Sequence, residues 1–365
     1  MAYSYPTTRQ DDVFDDFWGT RVADPYRWLE DPEKSETRDW VDAQNRATFA
    51  HLGQLANRPA LRKRMEELWD FPRWTAPVRR SDRIFFTKND GLQDQPVLYR
   101  QDGLAAKPVV LLDPNNLSED GTAALVGSSP SDDGSLLAIS IAESGSDWQT
   151  ISFLEVETGE QLPDRLVNVK FTTMAWAPDG SGIFYSRFPT ELEVPDAAAS
   201  THQRVYFHTI GSDQKQDELI YQRPDSPDLG FMPYVSADGR YLVLHVWEGT
   251  DTRNRLYYRP LDGDGDFVLL LDGFDARYEF IEHVDGRFLV LTDLAAPLGR
   301  IVAIDLTNPA RETWEEIVPE GEDALVHGAL VGERLVTMWL RHAHHLLRVH
   351  DLVGTVIDEP ALPGL

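Results

Sequence analysis

The chain has 365 residues, a formal net charge of −27 and no cysteine. This acidic balance argues against a nucleic-acid surface, which needs basic stripes, and disfavours docking on anionic membranes. We attribute the charge to solubility, including solubility in a high-salt cytoplasm.

The missing cysteines exclude disulfides, cysteine-based zinc sites and a thiol nucleophile, and they fit a reducing compartment. The sequence contains neither a signal-peptide pattern nor 18 consecutive apolar residues. We therefore expect a cytoplasmic protein. An apolar content of 42% and ten tryptophans predict a packed core rather than a disordered chain.

Residues 1–70 differ in kind from the rest of the chain and predict a short helical segment. The stretch 36–56 has a helical apolar face, with Ser35 as its expected N-cap. That face carries Trp40, Ala43, Ala47 and Ala50. Asn57-Arg58-Pro59 should break this helix before a second one at 60–70, and Pro72 marks the change to β structure.

The stretch MAWAPDGSGIFYSR, residues 174–187, predicts a β-hairpin. A strand enters the turn and a second one, Ile183 to Ser186, leaves it. Asp-Gly is a strong hairpin signal, because glycine accepts the positive φ that tight turns require. Similar hairpins recur around Gly134, Gly239 and Gly286, with weaker copies around Asp82 and Gly332.

These copies are 46 to 59 residues apart, and two further β-rich runs come after each of them. Four short strands in such a period are typical of a β-propeller blade. The alternative is an irregular β-sandwich with chance Asp-Gly turns, which six copies in register disfavour. We predict six blades, at 76–115, 123–167, 172–224, 231–272, 277–319 and 324–360, with an exposed loop at 188–203.

Seven segments resemble the prolyl oligopeptidase (prolyl endopeptidase) family, in the family's order. They are DPYRWLED (24–31), VDAQN (41–45), GLQDQPVLY (91–99), DPNNLSEDGT (113–122), SGSDW (144–148), VKFTTMAWAPDG (169–180) and EGTDTRNRLYY (248–258). The first would also suit oligopeptidase B, whereas GLQDQPVLY, GSDW and the last segment favour the prolyl enzyme.

The resemblance implies a serine endopeptidase that cleaves short peptides after proline, without a metal or organic cofactor. In that family an N-terminal segment wraps onto a C-terminal α/β-hydrolase domain, and a seven-bladed propeller covers the active site. Residues 1–70 here would be the wrapping segment and 71–365 a propeller short of about one blade. The partners implied are proline-containing peptides and the hydrolase domain.

The sequence itself offers no catalytic residue. An α/β-hydrolase presents its serine in a G-x-S-x-G elbow, which is absent from these 365 residues. Ser146 and Ser181 sit in predicted turns instead.

We also predict no metal site. DGDGD at 262–266 lacks the glycine and glutamate of a calcium loop, and no further ligand accompanies His342, His344 and His345.

Substrate contact is what the resemblance implies for the propeller. Phe171 matches a family aromatic position and would form an apolar wall for the residue two before the substrate proline. The run Gly230-Phe231-Met232 lies where the family has another pocket residue; the alignment leaves two positions open, and we assign the role to Met232. Trp247 stands where some members carry arginine, and Thr250 replaces a cysteine found in some members. Ordinary strand packing is the alternative interpretation for all four.

We therefore expect an inactive, substrate-gating portion of a prolyl oligopeptidase. The alternatives are a stand-alone propeller that binds proteins or peptides, and a fragment of oligopeptidase B. A stand-alone protein should bury Trp28, Leu29, Trp40 and Leu68. Their exposure in a patch would instead indicate a surface for a partner.

Overall fold

The computed structural model describes residues 5–32, 34–190, 193–194, 200–263 and 265–362. The chain divides into two compact units. The first comprises Met1–Pro72 and Asp90–Leu92, and the second comprises Arg73–Asn89 and Gln93–Leu365. Among the described residues, no helix combines the length and apolar character that crossing a bilayer requires.

The first unit contains one hairpin and two helices. Its elements are β1 (Phe14–Phe17), β2 (Thr20–Ala23), a 3₁₀ turn (Arg27–Leu29), α1 (Ser35–Leu52) and α2 (Arg58–Trp69). The two helices are confirmed, but their expected bounds were wrong at both ends. Gly53 ends α1 four residues earlier than predicted, and Pro59 lies in the first turn of α2, where its missing N–H costs nothing.

The expected N-cap of α1 was also wrong. Ser35 is already helical, and Lys34 occupies the N-cap with an extended backbone and no side-chain capping bond. Few side chains of this unit are buried. Thr37 is the one buried residue of α1 that the structure describes, and α2 has none.

The second unit consists of antiparallel strands that pair in chain order. A five-stranded sheet is formed by β3 (Arg73–Trp74), β4 (Val78–Arg80), β5 (Arg83–Asn89), β6 (Val97–Asp102) and β7 (Val109–Leu112). An eight-stranded sheet contains β8 (Ala124–Pro130), β9 (Leu136–Ala142), β10 (Gln149–Glu155), β11 (Gln161–Val169), β12 (Ala175–Trp176), β13 (Gly182–Arg187), β14 (Arg204–Thr209) and β15 (Glu218–Tyr221).

Three four-stranded sheets complete the unit. The first is β16 (Leu229–Val235), β17 (Tyr241–Glu248), β18 (Arg255–Pro260) and β19 (Val268–Leu271). The second is β20 (Tyr278–Val284), β21 (Arg287–Thr292), β22 (Arg300–Asp305) and β23 (Glu315–Val318). The third is β24 (Ala324–Val331), β25 (Arg334–Arg341), β26 (His344–His350) and β27 (Val356–Asp358).

The eight-stranded sheet has two halves, β8–β11 and β12–β15. A single residue pair, Val169 with Arg187, joins them. A buried core that includes Phe153, Leu166 and Tyr185 lies between the two halves, so they pack on one another in addition to sharing this bridge.

Each further pair of successive sheets also encloses an apolar core. Phe85 and Leu98 pack with Leu137 of the eight-stranded sheet. The remaining cores are built in the same way, with Phe184 against Phe231, Val243 against Phe288, and Leu291 against Trp339. The fold is therefore mainly β, and the sheets stack through their faces in chain order, as in a propeller.

The hairpin predicted at residues 174–187 is confirmed. Its strands are β12 and β13, and Ala177 and Gly182 close the turn through a 2.9 Å N–H···O bond. The connection is thus four residues long, from Pro178 to Ser181. Gly180 has φ of 70° within it, which explains why glycine is needed there.

The loop expected at 188–203 is buried at both ends, contrary to the prediction. Phe188 and Gln203 are each 2% exposed. Residues 191–192 and 195–199 of this stretch lie outside the described residues. The buried ends result from specific contacts, since Phe188 packs edge-on against Trp148 and Gln203 binds backbone groups near Phe171.

Candidate functional site

A cavity of about 620 Å³ lies among the first strands of successive sheets in the second unit. Residues 126–130 of β8, 171–176 in and before β12, and 232–235 of β16 supply most of its lining. Two predicted site residues, Phe171 and Met232, line it together, although they are 61 residues apart in sequence.

Phe171 forms a partly exposed aromatic wall of this cavity. It comes two residues after the end of β11, is 39% exposed, and has φ of 52°. A left-handed backbone is unfavourable for a bulky residue and persists only where surrounding contacts hold it. The local chain is thus held in a strained form that presents the ring to the cavity.

Gln203 provides the contacts that hold this backbone. Its Nε2 donates to the carbonyls of Lys170 at 2.8 Å and Phe171 at 3.3 Å, while its Oε1 accepts from the N–H of Phe231 at 2.6 Å. One buried side-chain amide therefore fixes Phe171 relative to β16, which carries Met232. No sequence pattern pointed to Gln203, because the residues it binds are about 30 positions away.

Trp247 packs against the ring of Phe171. The two rings meet edge to face, with centroids 5.9 Å apart, an arrangement that aromatic pairs favour. Trp247 pairs across the sheet with Gly230, and a Cβ at position 230 would lie 1.9 Å from the Trp247 ring. Glycine at 230 therefore allows the indole to lie against the backbone of β16, a role that sequence reasoning missed.

Lys170 adds a positive charge beside the aromatic wall. Its Nζ lies 4.8 Å from the centroid of the Phe171 ring and 5.3 Å from that of Trp148. It also pairs with Asp147 at 3.6 Å, so its charge is largely compensated. Cation–π contacts of this kind hold the rings and the ammonium group together.

Thr250 is not brought to the cavity. It lies in the exposed turn after β17 and is absent from the cavity lining, whereas Trp247 reaches the site through Phe171. The roles of Phe171, Met232, Trp247 and Thr250 in substrate binding all stay predictions.

The histidines at 342, 344 and 345 lie at a hairpin turn. His342 and Ala343 both have positive φ and form a two-residue connection between Arg341 and His344, which pair across the strands. Within the described part of the chain, no group of three histidine, aspartate or glutamate residues is placed to hold a metal. Asp264, in the DGDGD stretch, lies outside the described residues.

These sheets and this cavity define a class of protein, a β-propeller with a partly aromatic pocket along its inner strands. The family model for the prolyl oligopeptidase N-terminal β-propeller domain matches residues 5–365. The chain therefore belongs to the prolyl oligopeptidase family, as the sequence resemblance predicted.

Relatives and solved structures give the same assignment. The chain is 38% identical over 363 residues to the prolyl endopeptidase of Elizabethkingia meningoseptica, a match that covers 99% of this chain and 51% of that protein. It is 26% identical over 434 residues to the prolyl endopeptidase of Dictyostelium discoideum, at 100% and 57% coverage. The chain thus spans about half the length of the curated relatives it matches.

A solved structure from work on two prolyl endopeptidases superposes with a TM-score of 0.87 at 34% identity, covering 99% of this chain and 53% of that one. Prolyl oligopeptidase B from Galerina marginata, solved with a 35mer hydrolysis and macrocyclization substrate, superposes with a TM-score of 0.83 at 26% identity. That match covers 98% of this chain and 54% of the other.

Proposed function

We propose that this chain is the substrate-gating propeller portion of a prolyl oligopeptidase, a serine endopeptidase that cleaves short peptides after proline. The observation that carries the proposal is the cavity in which Phe171 and Met232 meet. An apolar wall with a partly exposed aromatic ring suits the side chain two residues before the proline. Trp247 supports that wall, and we propose that Thr250 contacts the substrate outside the cavity.

We further propose that residues 71–365 form six blades of an expected seven. We count the two halves of the eight-stranded sheet, β8–β11 and β12–β15, as separate blades. Five apolar cores then lie between six groups of strands in chain order. The single bridge between Val169 and Arg187 supports this division, since a continuous sheet would be joined along whole strands.

For residues 1–70 we propose a segment that wraps an α/β-hydrolase domain. Leu61, Met65 and Leu68 have helical spacing along α2 and are 63%, 68% and 55% exposed, so α2 presents an uncovered apolar face. Trp28, Leu29 and Trp40 are half-buried. The exposure of Leu68 favours a partner surface over the stand-alone module, and the prolyl relatives favour this enzyme over oligopeptidase B.

The catalytic step would need groups that these residues do not supply, because no G-x-S-x-G elbow occurs in the sequence. We therefore propose that the chain alone is inactive, uses no cofactor, and is cytoplasmic, a location that the absence of cysteine favours. A chromogenic prolyl peptide incubated with the purified 365-residue chain should release no chromophore. A burst of product proportional to chain concentration would overturn this proposal.

Binding tests the pocket directly. The chain should bind a fluorescent proline-containing peptide, and Phe171→Ala should weaken that binding by about tenfold, since burying part of an aromatic ring is worth roughly 1–2 kcal/mol. Phe274→Ala is the matched control. Phe274 also has positive φ (47°) and a cation over its ring, but it does not line the cavity. Equal weakening in both variants, or none in either, would contradict the assignment.

A further inference from the structure

The cavity also carries charge, at a distance from its aromatic wall. Arg80, Asp132 and Glu282 all line it. Asp132 comes after the end of β8, and Glu282 binds the turn after β16, since the N–H of Ala237 donates to its Oε1 at 2.9 Å. The charged groups therefore gather where the first strands end, whereas Phe171 lies before the start of β12.

The charges at this end do not cancel. Arg80 lies 3.4 Å from Asp132, measured from Nε to Oδ1, and this pair neutralises itself. Glu282 has no ion-pair partner within the described residues, and both of its hydrogen bonds go to Oε1, from the N–H groups of Ala237 and His283. Its Oε2 accepts no hydrogen bond from the described residues, and burial raises the pKa of this carboxyl group. A half-buried carboxylate is stabilised by an added cation.

A β-bulge places this carboxylate in the lining. The pairing of β20 with β21 shifts register between Phe280 and Glu282, so one extra residue interrupts the alternation of the strand. Bulges of this kind redirect side chains and are over-represented near functional sites. The register shift explains how a glutamate in an inner strand comes to line the cavity.

From these observations we infer that Glu282 is the binding site for a cationic group, an ammonium or guanidinium, at the upstream end of a peptide held in the cavity. The inference rests on the proposed function, because it takes the peptide to lie with its pre-proline residues at Phe171. Met232 lies in β16 and Ala237 follows the strand's end by two residues, so the two are at most ~16 Å apart. An extended peptide covers that length with about five residues.

The cation has two sources, the free amino terminus of a short peptide or a lysine or arginine side chain at that position. The experiment measures binding of the purified chain to three alanine- and glycine-based peptides, each with one proline and a carboxyl-terminal fluorophore. The first has a free amino terminus about five residues upstream of the Phe171 contact. The second is the same peptide acetylated, and the third is acetylated but carries lysine at its first position.

The free peptide should bind at least tenfold more tightly than the acetylated one, and Glu282→Gln should reduce this ratio to within twofold. Glutamine keeps the acceptor for Ala237 and His283, so affinity for the acetylated peptide should stay unchanged, which reports an intact fold. Glu279→Gln is the matched control, because Glu279 lies on the same strand, pairs with His327 and does not line the cavity. It should preserve the tenfold ratio.

If the lysine peptide recovers the affinity of the free one, the site accepts a side-chain cation; if it does not, the site requires the amino terminus. Either result supports the inference. Equal binding of free and acetylated peptides, with Phe171→Ala still weakening both, would overturn the Glu282 site and leave the proposed function standing. A chain that binds none of the three would overturn both.

Discussion

The two units of this chain use their apolar residues in opposite ways. In the second unit large side chains such as Phe288, Trp339 and Tyr185 are 0 to 2% exposed and form cores between successive sheets. In the first unit, Phe49 on α1 is 59% exposed and Met65 on α2 is 68% exposed. Amphipathic periodicity alone therefore shows that a face needs a partner, but it does not show that the partner lies within the same unit.

The largest expected loss of stability comes from removing a large buried side chain from a core of the second unit. Phe288 is fully buried among Tyr241, Tyr258 and Phe280, so Phe288→Ala should lower the free energy of unfolding by about 3–5 kcal/mol. Phe49→Ala makes the same chemical change in the first unit and should alter the free energy of unfolding by less than ~0.5 kcal/mol. Urea unfolding followed by circular dichroism measures both, and similar losses would abolish the contrast between the units.

The two units also differ in their charged residues, because the second unit contains a buried network of one histidine and two aspartates. His208 is fully buried, with Nδ1 2.7 Å from Asp217 and Nε2 3.1 Å from Asp164. Since carboxylates only accept hydrogen bonds, both bonds form when the imidazole is protonated and both ring nitrogens donate. His208→Gln should cost about 3 kcal/mol, because it leaves buried carboxylates uncompensated. In the first unit Glu36→Gln, which breaks the exposed pair with Arg9, should produce no measurable change.

The same network predicts a pH dependence. Burial opposes protonation of His208, but the bonds and charges of Asp217 and Asp164 outweigh it and raise its pKa above the ordinary 6.5. The unfolded chain releases this proton first, so the stabilisation is fully present below pH 6.5 and is lost as the pH rises through the folded pKa. The stability gap between wild type and His208→Gln should therefore narrow on going from about pH 6 to about pH 9. A stability difference that widens with rising pH would refute a raised pKa for His208.

The smallest expected effect on stability lies on α2. Replacing both Met65 and Leu68 with glutamine should leave the free energy of unfolding within ~0.5 kcal/mol of wild type, since both side chains are more than half exposed. The same double variant should lower the fluorescence of a bound hydrophobic dye. Lys63→Gln, on the polar side of the helix, should leave the dye signal unchanged. A large loss of stability in the double variant would show that this face is already covered.

The elements that sequence could predict are those fixed by neighbouring residues. The Asp-Gly hairpins needed only a short apolar run and a glycine with positive φ, so the turn at Gly180 could be predicted. Both helices were found from their spacing, but α1 starts after the extended backbone of Lys34 and ends at Gly53, beyond which hydrogen bonds span three residues instead of four.

The site was predictable only where a family motif named its residues. Phe171 and Met232 came from the resemblance. The packing role of Gly230 depends on which residue it faces across the hairpin, Trp247. Gln203 and Glu282 carry no signal in the sequence, because each binds residues far from it along the chain. His208 is similar, since Asp164 lies 44 residues before it. A bulge such as the one before Glu282 cannot be read from alternation, because it breaks the alternation on which the prediction depends.

Gln203 has a consequence for how this pocket can change over evolution. Its amide holds the backbone at Phe171 and at Phe231, and Phe188 anchors the other end of the same connection. A substitution at Gln203 would therefore release both sides of the cavity at once, whereas a substitution at Phe171 or Met232 changes one side only. The two lining residues can thus vary independently in related proteins as long as position 203 keeps its amide.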